Sequence, residues 1–426
     1  MSDPSPPRAG LLRDHNMRWL FAGAFVSNLG DQFTLLALPW AVLQMTGDPV
    51  QLGLVLALVG VPRAVFILVG GAIVDRHSPH RVLMLSKHAN TVLLAVLAAA
   101  IAAGALTLPL LYALALGVGF AAAFSVPAAT ALLPRVVAPA QLAAANGLMM
   151  GQRQLSMFVG PLLGGGLLAL AGPAPGGGSP APGLAFAFGA DALSFLLSAW
   201  TLSRVRLVPR AAAGRQAVWA AVAEGLRSFW ADRDLRAFLA YGGIVSLFVA
   251  GPLHVALPVL ANSNPALGPA ALGAMVGAHG AGTLLGLAVA GMRPGWRLGT
   301  LGLTILGFDA AIGLLLTPLG HIGGAGQGVA LLLAIGTLGG FMQVRVFTWL
   351  QRRVAPAMMG RAMALFMFIF VGLAPLSGAA TGVLLRSVPV ATLFSAAGGL
   401  LTALALLALL GPRLRRLGDA PVAVAG

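Results

Sequence analysis

Arg135-Val-Val-Ala-Pro-Ala140 and Arg352-Arg-Val-Ala-Pro-Ala357 each follow a long apolar stretch, one in either half of the chain. The next apolar stretch carries Gly160-Pro161-Leu162-Leu163-Gly164 in the first half and Ala374-Pro375-Leu376-Ser377-Gly378 in the second, at nearly the same separation. One such match in a chain rich in alanine and proline would mean little. Two at nearly one offset, on equivalent stretches, argue that the halves are duplicates. Duplicated apolar halves build secondary transporters, whose substrate sites lie between the repeats near the middle of the bilayer.

Composition points the same way. Of 426 residues, 58% are hydrophobic and 9% charged, whereas soluble domains carry about 25% charged residues. Glu224 is the single glutamate. No water-facing surface can be assembled from that set, which excludes a soluble enzyme and a disordered chain. The absence of cysteine excludes a disulfide scaffold, thiolate chemistry and cysteine metal sites. Apolar stretches recur at 17–46, 51–74, 82–104, 108–130, 147–171, 184–203, 237–262, 269–292, 297–319, 326–350, 362–385 and 388–411. Each has about the 20 residues that a membrane-crossing helix requires.

The formal charge of +15 is not gathered into a patch that would suit nucleic acid. Arginine instead falls in alternate loops. Arg8, Arg13 and Arg18 come first, then Arg76 and Arg81, then Arg135, then the run from Arg204 to Arg236. Arg293 and Arg297 follow, then Arg352, Arg353 and Arg361, then Arg413, Arg415 and Arg416; the opposite loops carry only Arg386. Basic loops stay in the cytoplasm, so the pattern predicts twelve helices with both termini cytoplasmic. The polar start from Met1 to Asn16 does not read as a cleavable signal peptide.

The loop from Arg204 to Arg236 is the longest. Trp219, Val222, Leu226 and Trp230 recur in it at helical spacing, which predicts an interfacial amphipathic helix over Ala217–Trp230. The expected organisation is a six-helix bundle over 1–203, a cytoplasmic linker over 204–236 and a second six-helix bundle over 237–426.

Gly71-Ala-Ile-Val-Asp75-Arg76, between the second and third spans, resembles the signature loop of the major facilitator superfamily. Ser27-Asn-Leu-Gly-Asp31-Gln32, Pro62-Arg63, Gly360-Arg361 and the two Ala-Pro loops are similar to the branch holding macrolide-efflux and enterobactin-exporter proteins. Gly147, Ser156, Gly160, Pro161, Gly164 and Gly165 in the fifth span resemble the superfamily's antiporter motif, with Ser156 where a glycine is usual. The similarity extends over about residues 17–411. It implies an all-α integral membrane fold of two pseudo-symmetric six-helix bundles, and export of an amphiphilic compound driven by inward proton flow. It also implies that Gly71, Asp75, Arg76 and Arg81 form a cytoplasmic gate that closes in the outward-facing state. Ser78, Pro79 and His80 depart from the signature loop's usual continuation, and Gly291-Met292-Arg293 in the second half lacks its acidic residue.

Charge inside a span is costly and usually faces a cavity or a partner. Asp31 lies about 20 Å beyond Arg18, and Arg63 lies about 18 Å before Asp75, at 1.5 Å per helical residue. Their matching depths suggest an Asp31–Arg63 pair, with Asp31 as proton carrier or the pair as a structural ion bridge. Asp191, expected near the outer end of the sixth span where water reaches it, Asp309 in the ninth, and Arg153 in the fifth are candidates for substrate or proton contact. Each also has a structural reading, as does Arg153 snorkelling to the interface. His254 and His279 titrate near neutrality in ordinary surroundings and join the same group, although a lone intramembrane histidine is more often a helix-to-helix hydrogen bond. Gly160, Pro161, Gly164 and Gly165 read first as packing and bending elements.

No phosphate-binding Gly-x-x-x-x-Gly-Lys-Ser/Thr loop and no His-Glu-x-x-His motif occurs. The expected protein is therefore not an enzyme, and it needs no cofactor or metal. It is expected to be a monomeric, multi-pass protein of the cytoplasmic membrane that exports small amphiphilic molecules, a drug or a secreted metabolite such as a siderophore, by proton antiport. A nutrient importer on the same fold and a non-transporting scaffold or sensor are the alternatives. Few intramembrane polar residues are available to bind a sugar.

Overall fold

The computed structural model describes residues 8–76, 78–170, 182–206, 232–293, 295–354 and 358–418. These residues form helices and connecting turns with no strand. In chain order the long helices are α1 (His15–Thr46), α2 (Pro49–Arg76), α3 (Pro79–Ala102), α4 (Leu108–Leu132), α5 (Leu142–Leu170) and α6 (Pro182–Ser203). They continue with α7 (Arg233–Ser263), α8 (Pro269–Met292), α9 (Leu301–His321) and α10 (Ala325–Arg353). The helix α11 comprises Met359–Gly372 and Ala374–Leu384, and α12 is Val390–Ala408. Ten of these are long and apolar enough to cross a membrane. The other two, α1 and α5, have 32 and 29 residues and carry the polar interruptions at Asp31 and Arg153. The predicted amphipathic helix over Ala217–Trp230 lies outside the described residues.

The chain divides into two compact units. The first holds Met1–Thr46 and Leu58–Arg215; the second holds Gly47–Ala57 and Gln216–Gly426. In the first, α6 packs along both α1 and α3. At the arginine-rich helix ends its apolar core is built from Met17, Leu20, Leu83, Leu132, Val137 and Leu202. In the second, Leu235, Phe238, Ile305, Val346, Leu350 and Phe366 do the same work. Outward-facing apolar residues such as Phe186, Leu314 and Leu407, 63%, 64% and 64% exposed, suit contact with lipid.

Lipid tails are as apolar as leucine, so close backbone approach drives helix association in a membrane. The α8–α10 contact is made that way. Gly282 and Gly286 lie on the α10 backbone at Leu333 and Thr337, and Gly336 and Gly340 lie on the α8 backbone at His279 and Thr283. A side chain at any of the four would overlap main-chain atoms. Within α7 the hydrogen bonding widens to a π-turn over Pro252–Ala256, where the prolines at 252 and 258 lack the N–H that a regular helix needs.

Aspartates cap the starts of α1 and α7. Met17 N–H donates to Asp14 Oδ1 at 2.8 Å, and the Asp234 and Leu235 N–H groups donate to Asp232 Oδ1 at 2.9 and 3.2 Å. Asp232 also accepts from Arg353 Nε at 2.7 Å, and Arg353 reaches Asp234 Oδ2 at 2.9 Å. Burial works against the Asp232 carboxylate, but Arg353 and the two backbone donors outweigh it and hold the carboxyl below its usual range. Arg386, the isolated arginine of the opposite loops, donates to Asp48 Oδ2 at 2.7 Å. That hydrogen bond is the main reason the Asp48 carboxyl is also held below its ordinary range. Nearby, Gly382 lies against Pro49, and Gly53 lies against Gly378 and Ala379. These contacts tie the first turns of α2 to α11 inside the second unit.

Two outcomes follow from these end contacts. Asp232→Ala removes a cap and an ion-pair partner together, and should lower the stability of the purified protein by about 1–3 kcal/mol. Asp232→Asn keeps the capping oxygen and should lose less; equal thermal shifts for the two variants would deny the cap its share. For Asp48, a folded carboxyl held below its unfolded value gives stabilisation that is complete above about pH 4 and is lost as pH falls through the folded value. The Gln51 and Leu52 amides, both bonded to the Asp48 carbonyl, should therefore keep their hydrogen-exchange protection from pH 8 down to about 5 and lose it below about 4.

Candidate functional site: the buried charges of the first unit

Ser27, Asp31 and Thr34 recur along α1 at spacings of about one turn and so share one face. Opposite them α6 brings Asp191, Ser194 and Ser198. Two glycines set how closely the helices approach. A Cβ on Gly23 would collide with Thr201 Oγ1, and one on Gly30 would collide with Ser194 Oγ and Asp191 Oδ1. The close contact leaves Asp191 1% exposed. Its two oxygens are engaged separately: Thr34 Oγ1 donates to Oδ2, and Ser194 Oγ lies 3.1 Å from Oδ1 while also donating to the Asp191 carbonyl at 2.7 Å. The expected water-exposed position near the outer end of α6 is therefore corrected. Asp191 stands near the middle of that helix, enclosed against α1.

Lys87 on α3 completes this layer and was not among the residues singled out from the sequence. It is 9% exposed. Its Nζ donates to Ser27 Oγ at 2.7 Å and lies 4.9 Å from the centre of the Phe195 ring, an arrangement in which the ring face attracts the ammonium. Ser86, the preceding residue, bonds the Ala121 carbonyl of α4 and lies 2.6 Å from Ser125 Oγ, which fixes α3 locally.

Asp31 is different. It is exposed although it lies midway along α1, and among the described residues it has no hydrogen bond and no ion pair within 4.0 Å. Lys87, Arg63 and Arg153 act on it electrostatically. Arg63 is half-buried, with its Nε enclosed and without a partner, and Arg153 is exposed. The expected depth match of Asp31 and Arg63 places them in one cluster, but the direct pair is absent. Depth follows from residue counting, whereas contact depends on helix rotation, which hydropathy does not fix.

The other predicted residues are distributed as follows. Gly160 on α5 lies against the Gln32 side chain, and Gly164 against Phe33 and Leu36, so this segment packs on α1; α5 continues without a break through Pro161. Gly165 is buried. Gly147 has no atom within 4 Å of where a Cβ would stand. Gly71, Asp75 and Arg76 lie in the last turns of α2, with their side chains outside the described set, and Arg81 is exposed near the start of α3. In the second unit Asp309 is 4% exposed and accepts from the Tyr241 hydroxyl at 2.9 Å. His254 stands exposed in the π-turn with Nδ1 2.7 Å from the Ala250 carbonyl, and His279 on α8 is half-buried. No group of three or more potential metal ligands occurs among the described residues.

Residues 20–379 match the Major Facilitator Superfamily. The chain belongs to that superfamily. It is 27% identical over 419 residues to the enterobactin exporter EntS of Shigella boydii serotype 18, covering 96% of this chain and 95% of the relative. The EntS of Escherichia coli O6:K15:H31 gives the same figures. Among solved structures, the nucleoside transporter NupG aligns with a TM-score of 0.70 at 14% identity, covering 92% of this chain and 97% of that one. A bacterial homologue of the iron transporter ferroportin aligns at 0.65 and 17% identity, with 93% and 98% covered. These likenesses establish a twelve-helix major facilitator fold and a multi-pass transporter with an exporter relative. Several members of the site described above fall on α1, α3 and α6 of that fold.

The glycine contacts give a contrast that thermal unfolding can read. Gly30→Ala drives a methyl group into Ser194 and Asp191 and should cost about 1–3 kcal/mol. Thr34→Val leaves one oxygen of Asp191 without its donor and should cost a similar amount. Gly147→Ala, in open space, should leave the melting temperature of the purified protein within about a degree of wild type.

Proposed function

We propose that this superfamily member exports small amphiphilic molecules, a drug or a secreted metabolite such as a siderophore, by proton antiport with alternating access. Asp31 is the proton carrier. The observation that carries this reading is its contrast with Asp191. Asp191 is enclosed and bonded to two hydroxyls, as a structural carboxylate needs to be. Asp31 is accessible, has no hydrogen bond, and stands among three cations. A carboxylate so placed can take up and release a proton as its surroundings change, with Arg63 the group that senses its charge. Arg153 and His254, both accessible, are candidate substrate contacts. His279 and the Tyr241-bonded Asp309 are more enclosed and rank behind them.

Export is favoured over import by the 27% identity to the enterobactin exporter across nearly the whole chain. The alternating arginines support placement in a cytoplasmic membrane with both termini inside. In that frame Gly71, Asp75, Arg76 and Arg81 lie at the cytoplasmic ends of α2 and α3 and act as the gate, and the transporter works as a monomer.

Proton flux in inverted vesicles with an imposed pH gradient tests the reading, with dyes, macrolides and siderophores added in turn. A transported compound should partly collapse the gradient in wild type and in Asp191→Asn vesicles. In Asp31→Asn vesicles the response should fall to the level of empty vesicles, although the protein is folded and present in equal amount. Wild-type flux from Asp31→Asn would remove Asp31 from the coupling path.

A further inference from the structure

Lys87 is the one lysine in the chain. An ammonium has three donors, and in the interior of a helix bundle each unmet donor is costly. Ser27 Oγ accounts for one of them, and the Phe195 ring offers only a diffuse attraction. The charged groups that face Lys87 are Asp31 on α1 and Asp191 on α6. The remaining neighbour of α3, α4, contributes no charged residue. Asp191 already has Thr34 and Ser194 as donors, whereas Asp31 has none. Arg63 and Arg153 also act on Asp31, from α2 and α5, without contacting it.

Ser27 and Asp31 are one helical turn apart on the same face of α1, about 6 Å between Cβ atoms. The four-carbon stem of a lysine sweeps that distance by rotamer changes alone. The Ser86 contacts tie α3 to α4 beside Lys87, and the swing needs no movement of that backbone. Lysine also suits such a swing better than arginine, being a compact point charge with three rotatable donors rather than a rigid fork.

We propose that Lys87 is a positioning residue that moves between two acceptors on α1, bonding Ser27 when Asp31 carries a proton and Asp31 when it does not. The movement rests on Asp31 gaining and losing a proton, as the transport reading requires. Its consequence is that the enclosed ammonium and the Asp31 carboxylate meet whenever the proton has left: the lysine stands in for the departed proton. Breaking or removing one member of such a pair is far more costly than removing both.

Because the chain has a single lysine, its side-chain nitrogen gives one NMR signal after labelling with 15N-lysine. In wild type that signal should move between two positions as pH is cycled within the range where the lysine keeps its own proton, without any substrate present. Over that range it should stay at the Ser27-bonded position in Asp31→Asn, while in Asp191→Asn it should still move. Ser27→Ala should change only the low-pH position. A signal that still moves over that range in Asp31→Asn, or that stops moving only in Asp191→Asn, would overturn the proposal. In transport, Lys87→Gln should shift the pH of half-maximal proton flux upward by about one pH unit. The Lys87→Gln, Asp31→Asn double variant should exchange substrate between vesicle and medium faster than Lys87→Gln alone. An unshifted pH profile, or a double variant no faster than the single one, would count equally against it. The NMR result stands apart from transport: loss of coupled flux in Asp31→Asn tests the carrier, and the lysine signal tests the swing.

Discussion

A carboxylate enclosed by apolar helices must find its hydrogen-bond donors inside the protein, because lipid supplies none. In the first unit Asp191 finds them because Gly30 lets α6 lie directly on α1. That close contact brings Thr34 and Ser194 to the two carboxylate oxygens, sets Phe195 beneath the Lys87 ammonium, and leaves Ser27 as its acceptor. With Asp191 satisfied, Asp31 is the carboxylate left without donors. The division of labour between the two acids thus follows from how close two helices can come.

The second unit solves the same problem with fewer charges. Its enclosed Asp309 is held by a tyrosine hydroxyl rather than by a cation. Its α8–α10 pair meets closely where glycines of each helix lie on the backbone of the other. Its ionic contacts sit at helix ends, where Arg353 binds Asp232 and Asp234 and where Arg386 binds Asp48. The first unit concentrates its charges within the span. The two units thus differ, among the described residues, in where they place charge, and the second carries an exposed histidine, His254, in the π-turn of α7.

Much of the fold was legible in the sequence because its causes are one-dimensional. Span length, alternation of arginine between loops and the repeated Ala-Pro loops depend on composition and order alone. The site was legible in part. Counting residues put Asp31 and Arg63 at one depth, but which face of a helix meets which neighbour is set by small residues whose partners are distant in sequence. Gly30 and Asp191 illustrate this: nothing local to either residue shows that one makes room for the other. Lys87 escaped for another reason. It lies in the first turns of the third span, beside Ser86 and His88, where a lysine ordinarily reaches back to the interface. Here it points inward because Ser27 and Phe195 receive it.

Exchange of a proton on Asp31 for substrate can be read from binding alone, in weakly buffered detergent solution with a pH indicator, using the compound that collapses the gradient in vesicles. Binding should release protons from wild type and from Asp191→Asn, and none from Asp31→Asn even where the compound still binds. Equal proton release from Asp31→Asn would show that the exchanged proton sits elsewhere.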